Sequence, residues 1–168
     1  SIYDQADAVR LTGYVIRDLG LDTKKFVARS IHAQISNLKN ELVGSQSALD
    51  NAASIFERKI AEIYSEYQRR LRVAGAMDFD DLLTVTVELF RTHSNTLAHY
   101  QERFQHVLVD EYQDTNPAQN EIVLKLGDRH RNVFVVGDSD QSVYAFRGAD
   151  IRNILDFEKA FPDTGIVV

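Results

Sequence analysis

Two neighbouring acids, Asp110 and Glu111, follow directly on a short apolar run, Val107-Leu108-Val109, and are followed by Tyr112, Gln113 and Asp114. A β-branched apolar run that ends in acids reads as a buried parallel strand whose C-terminal end faces a site. Ligands of open α/β sheets gather at such strand ends. An Asp there can hold Mg²⁺ beside nucleotide phosphates. A neighbouring Glu can orient and deprotonate an attacking water. The same pair also suits a solvated turn or a helix N-cap, and on residue types alone both readings stand.

The elements that must position these acids can be read from periodicity and punctuation. Residues 1–74 read as all helix. Asp4 caps a first helix to about residue 19, with Ala8, Leu11, Val15 and Ile16 on one face and Gly20 as the stop. Thr23 caps a second helix to about residue 43, along which Ala28, Ile31, Ile35, Leu38 and Leu42 keep helical spacing. A polar linker over 44–47 leads to a third and longest helix over 50–73. Ile55, Phe56, Ile60, Ile63, Tyr64, Tyr67 and Leu71 form its apolar stripe. Arg69, Arg70 and Arg72 end it, either as cations at the negative end of the helix dipole or as phosphate contacts for duplex DNA. Ala74-Gly75-Ala76 reads as a boundary, which divides the chain into 1–74 and 75–168.

Beyond the boundary, Asp78 caps a helix whose first turn carries Asp80 and Asp81, a structural role that accounts for these acids without catalysis. That helix runs to about residue 91 and another spans 94–104. After the acid pair, Asn116-Pro117 opens a helix with Ala118, Ile122, Val123 and Leu126 toward the sheet and Gly127 at its end. A second buried strand over 133–136 ends at Gly137-Asp138, again at the ligand edge. A helix over 150–160 and a strand from 165 complete the chain. Strand–helix–strand alternation of this kind argues a parallel sheet with right-handed crossovers. The fold class is therefore α/β, with an all-helical first part.

Composition narrows the function classes. With 44% hydrophobic residues in 168, the chain can bury a core and need not be disordered. It has no cysteine, which excludes disulfides and thiolate metal sites. The histidines at 32, 93, 99, 106 and 130 lack zinc-ligand spacing and read as surface or satisfied polar residues. No apolar stretch approaches transmembrane length and no signal peptide is visible, so the expectation is a soluble, intracellular protein without membrane partners. A net charge of −6 argues against a broadly basic nucleic-acid binder. The balance is uneven: 11 Lys and Arg against 9 Asp and Glu in 1–74, but 8 against 16 in 75–168. A nucleotide bound in the acidic part would need cations and backbone N–H groups to offset its charge.

Longer strings carry more information than the pair of acids. VLVDEYQDTNPAQ over 107–119 resembles motif II of the superfamily 1 DNA helicases of the UvrD/PcrA/Rep type. MDFDDLL over 77–83 resembles a signature of the same family, and GDSDQSVYAFRGA over 137–149 resembles its motif III, one helix and one strand after motif II. The resemblance covers essentially the whole chain, with a less specific match to the family's helical insertion over 2–42. It implies a helical insertion subdomain, with possible duplex DNA contact, followed by part of a RecA-like P-loop NTPase domain with a parallel sheet.

The resemblance also implies roles. Asp110 would hold Mg²⁺ on the β and γ phosphates of ATP, Glu111 would activate the hydrolytic water, and Gln141 would sense the γ-phosphate and report its loss. An amide suits that sensor because it donates to a phosphate oxygen while accepting from water, although a polar turn residue looks the same. Tyr144 and Phe146 alternate around Ala145, so an extended backbone would turn them to one face. There they could stack successive bases of single-stranded DNA, each worth about 1–3 kcal/mol, with Arg147 on a phosphate or buttressing the loop. A pair of core aromatics is the plainer alternative. The family often carries Trp where Phe146 stands, and Phe keeps the stacking surface.

None of the eight glycines precedes a lysine, so the chain has no G-x-x-x-x-G-K-[ST] phosphate cradle. The family's later motifs are absent too. The expectation is an internal fragment of an ATP-dependent DNA helicase that couples Mg·ATP hydrolysis to 3′–5′ translocation on single-stranded DNA and duplex unwinding in DNA repair. Its partners would be single-stranded DNA, single-strand–duplex junctions and the remaining helicase domains. The fragment alone is expected to be inactive. Two other readings remain: the motor of a helicase–nuclease of recombination, and a non-catalytic, helicase-derived DNA-binding module.

Overall fold

Asp4 starts the first helix by accepting the Asp7 N–H at 2.8 Å, which satisfies one of the amides that a helix N-terminus leaves unpaired. Helix α1 (Gln5–Asp18) follows and stops at Gly20, whose φ of +66° is the left-handed turn that glycine adopts without a Cβ penalty. These features come from the computed structural model, which describes residues 1–137, 157 and 159–165. The described chain divides into two units, Ser1–Thr84 and Val85–Val168.

Helix α2 (Ala28–Asn40) starts later than expected, after Val27, with no side-chain cap. Asp22 rather than Thr23 organises the approach: its carboxylate accepts the Lys24 N–H at 2.9 Å and its carbonyl accepts the Phe26 N–H at 2.8 Å. That turn buries Phe26. The helix also ends earlier, because Leu42 takes up φ +59° while Leu42 and Val43 return their N–H groups to the carbonyls of Lys39 and Leu38. Leu42 therefore leaves the stripe. The expected linker begins a short helix, α3 (Ser45–Asp50). The third helix does not run on from there; α4 (Ile55–Val73) restarts at Ser54. The Ser54 hydroxyl accepts the Glu57 N–H and the Glu57 carboxylate accepts the Ala53 N–H, a reciprocal cap that fixes the start. Ile55, in the first turn, is consequently 83% exposed, while Phe56 stacks on Phe26 at 5.2 Å between ring centroids.

The apolar stripes of α1, α2 and α4 meet in one core around Val15, Ile16, Ile31, Ile35, Ile63, Tyr67 and Leu71. The chain start closes this unit through an isolated parallel bridge between Ile2 and Met77. A polar cluster lies inside it. Lys39 is 1% exposed and sits one helical turn after Ile35, on the apolar face. Its ammonium donates to Asp78 Oδ2 at 2.7 Å and to Asp81 Oδ1 at 2.8 Å. Tyr67 donates its hydroxyl to Asp78 Oδ2 at 2.7 Å, and Gln68 Nε2 donates to Asp81 at 3.0 Å. Asp78 accepts the Asp81 N–H and Asp81 accepts the Asp78 N–H, at 2.8 and 3.3 Å, so the two acids cap α5 (Phe79–Thr92) reciprocally. Burial would raise the Asp78 carboxyl, but the Lys39 charge and three hydrogen bonds outweigh it and hold it below the usual carboxylate range. The acids of MDFDDLL thus do more than cap: with Lys39 they clamp α2, α4 and α5.

The division between units falls inside α5. In the second unit, α6 (Ser94–Arg103) packs against α7 (Pro117–Gly127), and α7 against β1 (Val107–Val109), which pairs in parallel with β2 (Val133–Val135). Val107 pairs with Val133, Leu108 with Phe134 and Val109 with Val135. α7 begins as expected, with Pro117 at its first position and Asn116 and Gln119 exchanging cap hydrogen bonds at 2.9 and 3.0 Å. Arg91 binds Glu121 through two nitrogens, one at 2.7 Å, within this unit. Val109, Val133 and Val135 pack with Leu124 around Tyr112, Phe157 and Phe161. The strands are not buried on both faces, contrary to expectation: Leu108 is 74% and Phe134 60% exposed. Side chains alternate across a strand, and among the described residues only the valine face is covered. Phe157, Lys159 and Ala160 are helical, within the helix expected over 150–160; the rest of that helix, and all of the strand expected from 165 except Gly165, lie outside the described residues.

Candidate active site

β1 ends at Val109, and the ladder continues past it: the Val136 N–H donates to the Val109 carbonyl at 2.8 Å, and the Tyr112 N–H donates to the Val136 carbonyl at 2.8 Å. The segment after β2 is therefore stitched to the turn that carries the acids. Asp110 and Glu111 both stand exposed at this edge. Asp110 accepts the Glu111 N–H on Oδ1 at 2.9 Å. Glu111 itself has φ +50° and ψ +42°, a left-handed conformation that costs a non-glycine residue about 1–2 kcal/mol. The turn that follows, Tyr112–Asp114, is a 3₁₀ turn closed by the Asp114 N–H on the Glu111 carbonyl at 2.9 Å.

What holds the strained turn is buried beneath it. The Tyr112 hydroxyl donates to Asn120 Oδ1 on α7, and the Thr115 hydroxyl donates to the Tyr112 carbonyl at 2.6 Å. Gln113, 1% exposed, donates from Nε2 to Glu111 Oε2 at 2.6 Å. A Cβ on Gly137 would stand 2.9 Å from Gln113 Oε1 and 3.3 Å from the Gln113 backbone nitrogen. The Gln113 amide is thus held between the Glu111 carboxylate and the backbone just after β2. Neither Gln113 nor Gly137 was assigned a part from sequence. A polar residue two places after an acid was the only signal, and the left-handed turn that joins them has no composition cue, since Glu is not a residue that favours it.

The donor set at Asp110 fits a hard divalent cation. A carboxylate at a strand end is the kind of ligand Mg²⁺ takes, one or two at a time, with phosphate oxygens and water completing the shell. Among the described residues no group of three or more His, Cys, Asp or Glu side chains could hold a metal ion. Gln141, Tyr144, Phe146 and Arg147 lie outside the described residues.

The arginines that end α4 are engaged with the protein. Arg69 and Arg70 both donate to Glu66, and Arg70 also reaches Asp18 at 2.8 Å. Their hydrogen bonds hold the Glu66 carboxyl down at about 2. Arg72 is exposed. Of the histidines, His32 is buried and its Nδ1 has no hydrogen-bond partner among the described residues, so it is not the satisfied polar group expected from sequence. No helix among the described residues is long and apolar enough to cross a membrane.

The family model for the UvrD/REP helicase N-terminal domain matches residues 1–162. ATP-dependent DNA helicase UvrD1 of Mycobacterium tuberculosis is 49% identical over an alignment of 178 residues that covers 100% of this chain and 23% of the relative. ATP-dependent DNA helicase PcrA of Bacillus subtilis is 43% identical over 168 residues, again 100% of this chain and 23% of the relative. PcrA of Staphylococcus aureus is 44% identical over 167 residues, 99% of this chain and 23% of the relative. The chain spans about a quarter of the length of these relatives. The chain therefore belongs to the UvrD/REP helicase family, whose N-terminal domain it matches over residues 1–162.

Proposed function

We propose that the protein carrying this chain is an ATP-dependent DNA helicase in which Asp110 and Glu111 form the hydrolytic edge. The observation that carries the reading is the placement of both acids at the C-terminal end of a parallel strand, on a turn held in a left-handed conformation. Asp110 would be a ligand of Mg²⁺, which when bound would neutralise charge on the β and γ phosphates of ATP. Glu111 would orient the attacking water and take its proton. The water oxygen bonds to the γ-phosphorus, the bond from that phosphorus to the bridging oxygen breaks, and ADP and phosphate leave.

Gln141 would report loss of the γ-phosphate, and Tyr144, Phe146 and Arg147 would grip single-stranded DNA. The division of labour between a helical insertion over 1–74 and the partial ATPase core over 75–168 belongs to the same proposal, as do 3′–5′ translocation, action at single-strand–duplex junctions, a role in DNA repair and residence in the bacterial cytoplasm or nucleoid. The names of the similar helicases support ATP and DNA as ligands. The experiment is unwinding of tailed duplexes by the full-length protein with Mg·ATP. Opening of a 3′-tailed but not a 5′-tailed duplex is expected. Opening of only the 5′-tailed duplex would reject the direction, and opening of neither, with no DNA-stimulated turnover, would reject the function.

A further inference from the structure

We propose that Gln113 is a positioning residue for Glu111, holding its carboxylate in the one orientation that serves the attacking water. This rests on the reading of Glu111 as the group that activates that water. Glu111 is exposed, and an exposed Glu side chain samples many rotamers. Gln113 removes that freedom. It is buried, it donates to Glu111 Oε2 at 2.6 Å, and only its nitrogen can face the carboxylate, because an ionised carboxylate accepts and does not donate. The other end of the amide lies against Gly137, where even a methyl group would come within 2.9 Å of Oε1. A methyl group at position 137 would therefore press on the amide and shift it from Glu111. Gly137 is part of the device, since only a glycine leaves room for the amide.

Effective general-base catalysis needs the base within hydrogen-bond reach of the water, and small misplacement is costly. The experiment measures DNA-stimulated ATP turnover by the full-length protein with Gln113→Glu, Gln113→Ala, Gly137→Ala and Glu111→Gln. Gln113→Glu keeps shape and packing but replaces the donor with a second carboxylate. The expected result is a fall in kcat of about tenfold to a hundredfold for Gln113→Glu and Gln113→Ala. KM for ATP should stay near wild type, and the fall in melting temperature expected on changing the buried Gln113 should be the same in the Glu111→Gln background, where kcat falls no further. Gly137→Ala should lower kcat in the same way. In single-turnover experiments on the Glu111→Gln background, Gln113→Ala should cost nothing further, because the group it positions is already lost. If Glu111→Gln abolishes turnover while both Gln113 variants stay within about twofold of wild type, the positioning role is overturned and the function stands. An equal further loss in the Glu111→Gln background would also overturn it, by showing a role in packing alone. If Glu111→Gln retains wild-type turnover, the reading of Glu111 fails and this inference fails with it.

Discussion

Replacing Lys39 by Met should be among the most damaging single changes in the helical unit. The ammonium lies 2.7 Å from Asp78 and 2.8 Å from Asp81, and all three side chains are almost wholly buried. Met fills a similar volume, so the change removes charge and donors more than packing. It leaves two buried carboxylates facing each other, with Tyr67, Gln68 and two backbone N–H groups among their remaining donors. Breaking a buried pair by removing one partner costs about 3–5 kcal/mol, because the remaining charge is stranded. Net stability of a domain is only about 5–15 kcal/mol, so the variant should sit near the edge of folding. Urea denaturation of the 168-residue chain, followed by circular dichroism, measures this directly. Raising the salt concentration should change the loss little, since buried pairs are poorly screened. Adding Asp78→Asn and Asp81→Asn to Lys39→Met should restore much of the stability, because Asn still caps a helix and no charge remains unpaired. A loss below about 1 kcal/mol for Lys39→Met would refute the clamp. A triple variant weaker than the single one would refute the electrostatic explanation of it.

Acid should erode stability in two windows. Burial holds His32 below its ordinary 6.5 against the pull of Asp78 and Asp80, with Lys39 acting alongside burial. The unfolded chain therefore binds the extra proton first, and stability should fall as pH drops below about 6.5, a slope that His32→Gln should flatten in melting curves. Asp78, whose carboxyl is depressed from its ordinary 3.8, contributes stability above that value and loses it as pH falls through the lower, folded value. Gly127→Ala would drive a methyl into Val133 Cγ2 and place it 3.3 Å from the Phe161 ring; such overpacking should cost about 1–3 kcal/mol in a denaturation experiment. Arg91→Ala should cost no more than about 1 kcal/mol, since the pair with Glu121 is partly exposed. The 168-residue chain by itself should release no phosphate from ATP in the presence of single-stranded DNA, because it lacks a phosphate cradle.

Helix existence was legible wherever an apolar stripe coincided with a cap. Asp4, Asn116-Pro117 and Gly20 marked their boundaries because each acts through its own side chain or its lack of one. Boundaries failed where backbone geometry decided instead. Leu42 takes a left-handed turn that no glycine announces, and the Asp22 turn displaced the start of α2 from Thr23. The Ser54–Glu57 cap split what periodicity joined. Lys39 escaped notice because a lone lysine on an apolar stripe normally extends its ammonium to water; its partners come from residues 78 and 81, far along the chain. At the candidate site the acids could be read from composition and spacing. The Gln113–Gly137 contact could not, because it depends on the register of two strands and on the conformation of Glu111.

The most direct measurement is DNA-stimulated phosphate release by the full-length protein and its Asp110→Asn and Glu111→Gln variants, with single-stranded DNA binding recorded on the same samples. The expected result is turnover reduced by about 10²-fold or more in each variant, with DNA binding retained. Wild-type turnover in either variant would contradict the assignment of that acid to the hydrolytic edge at the end of β1.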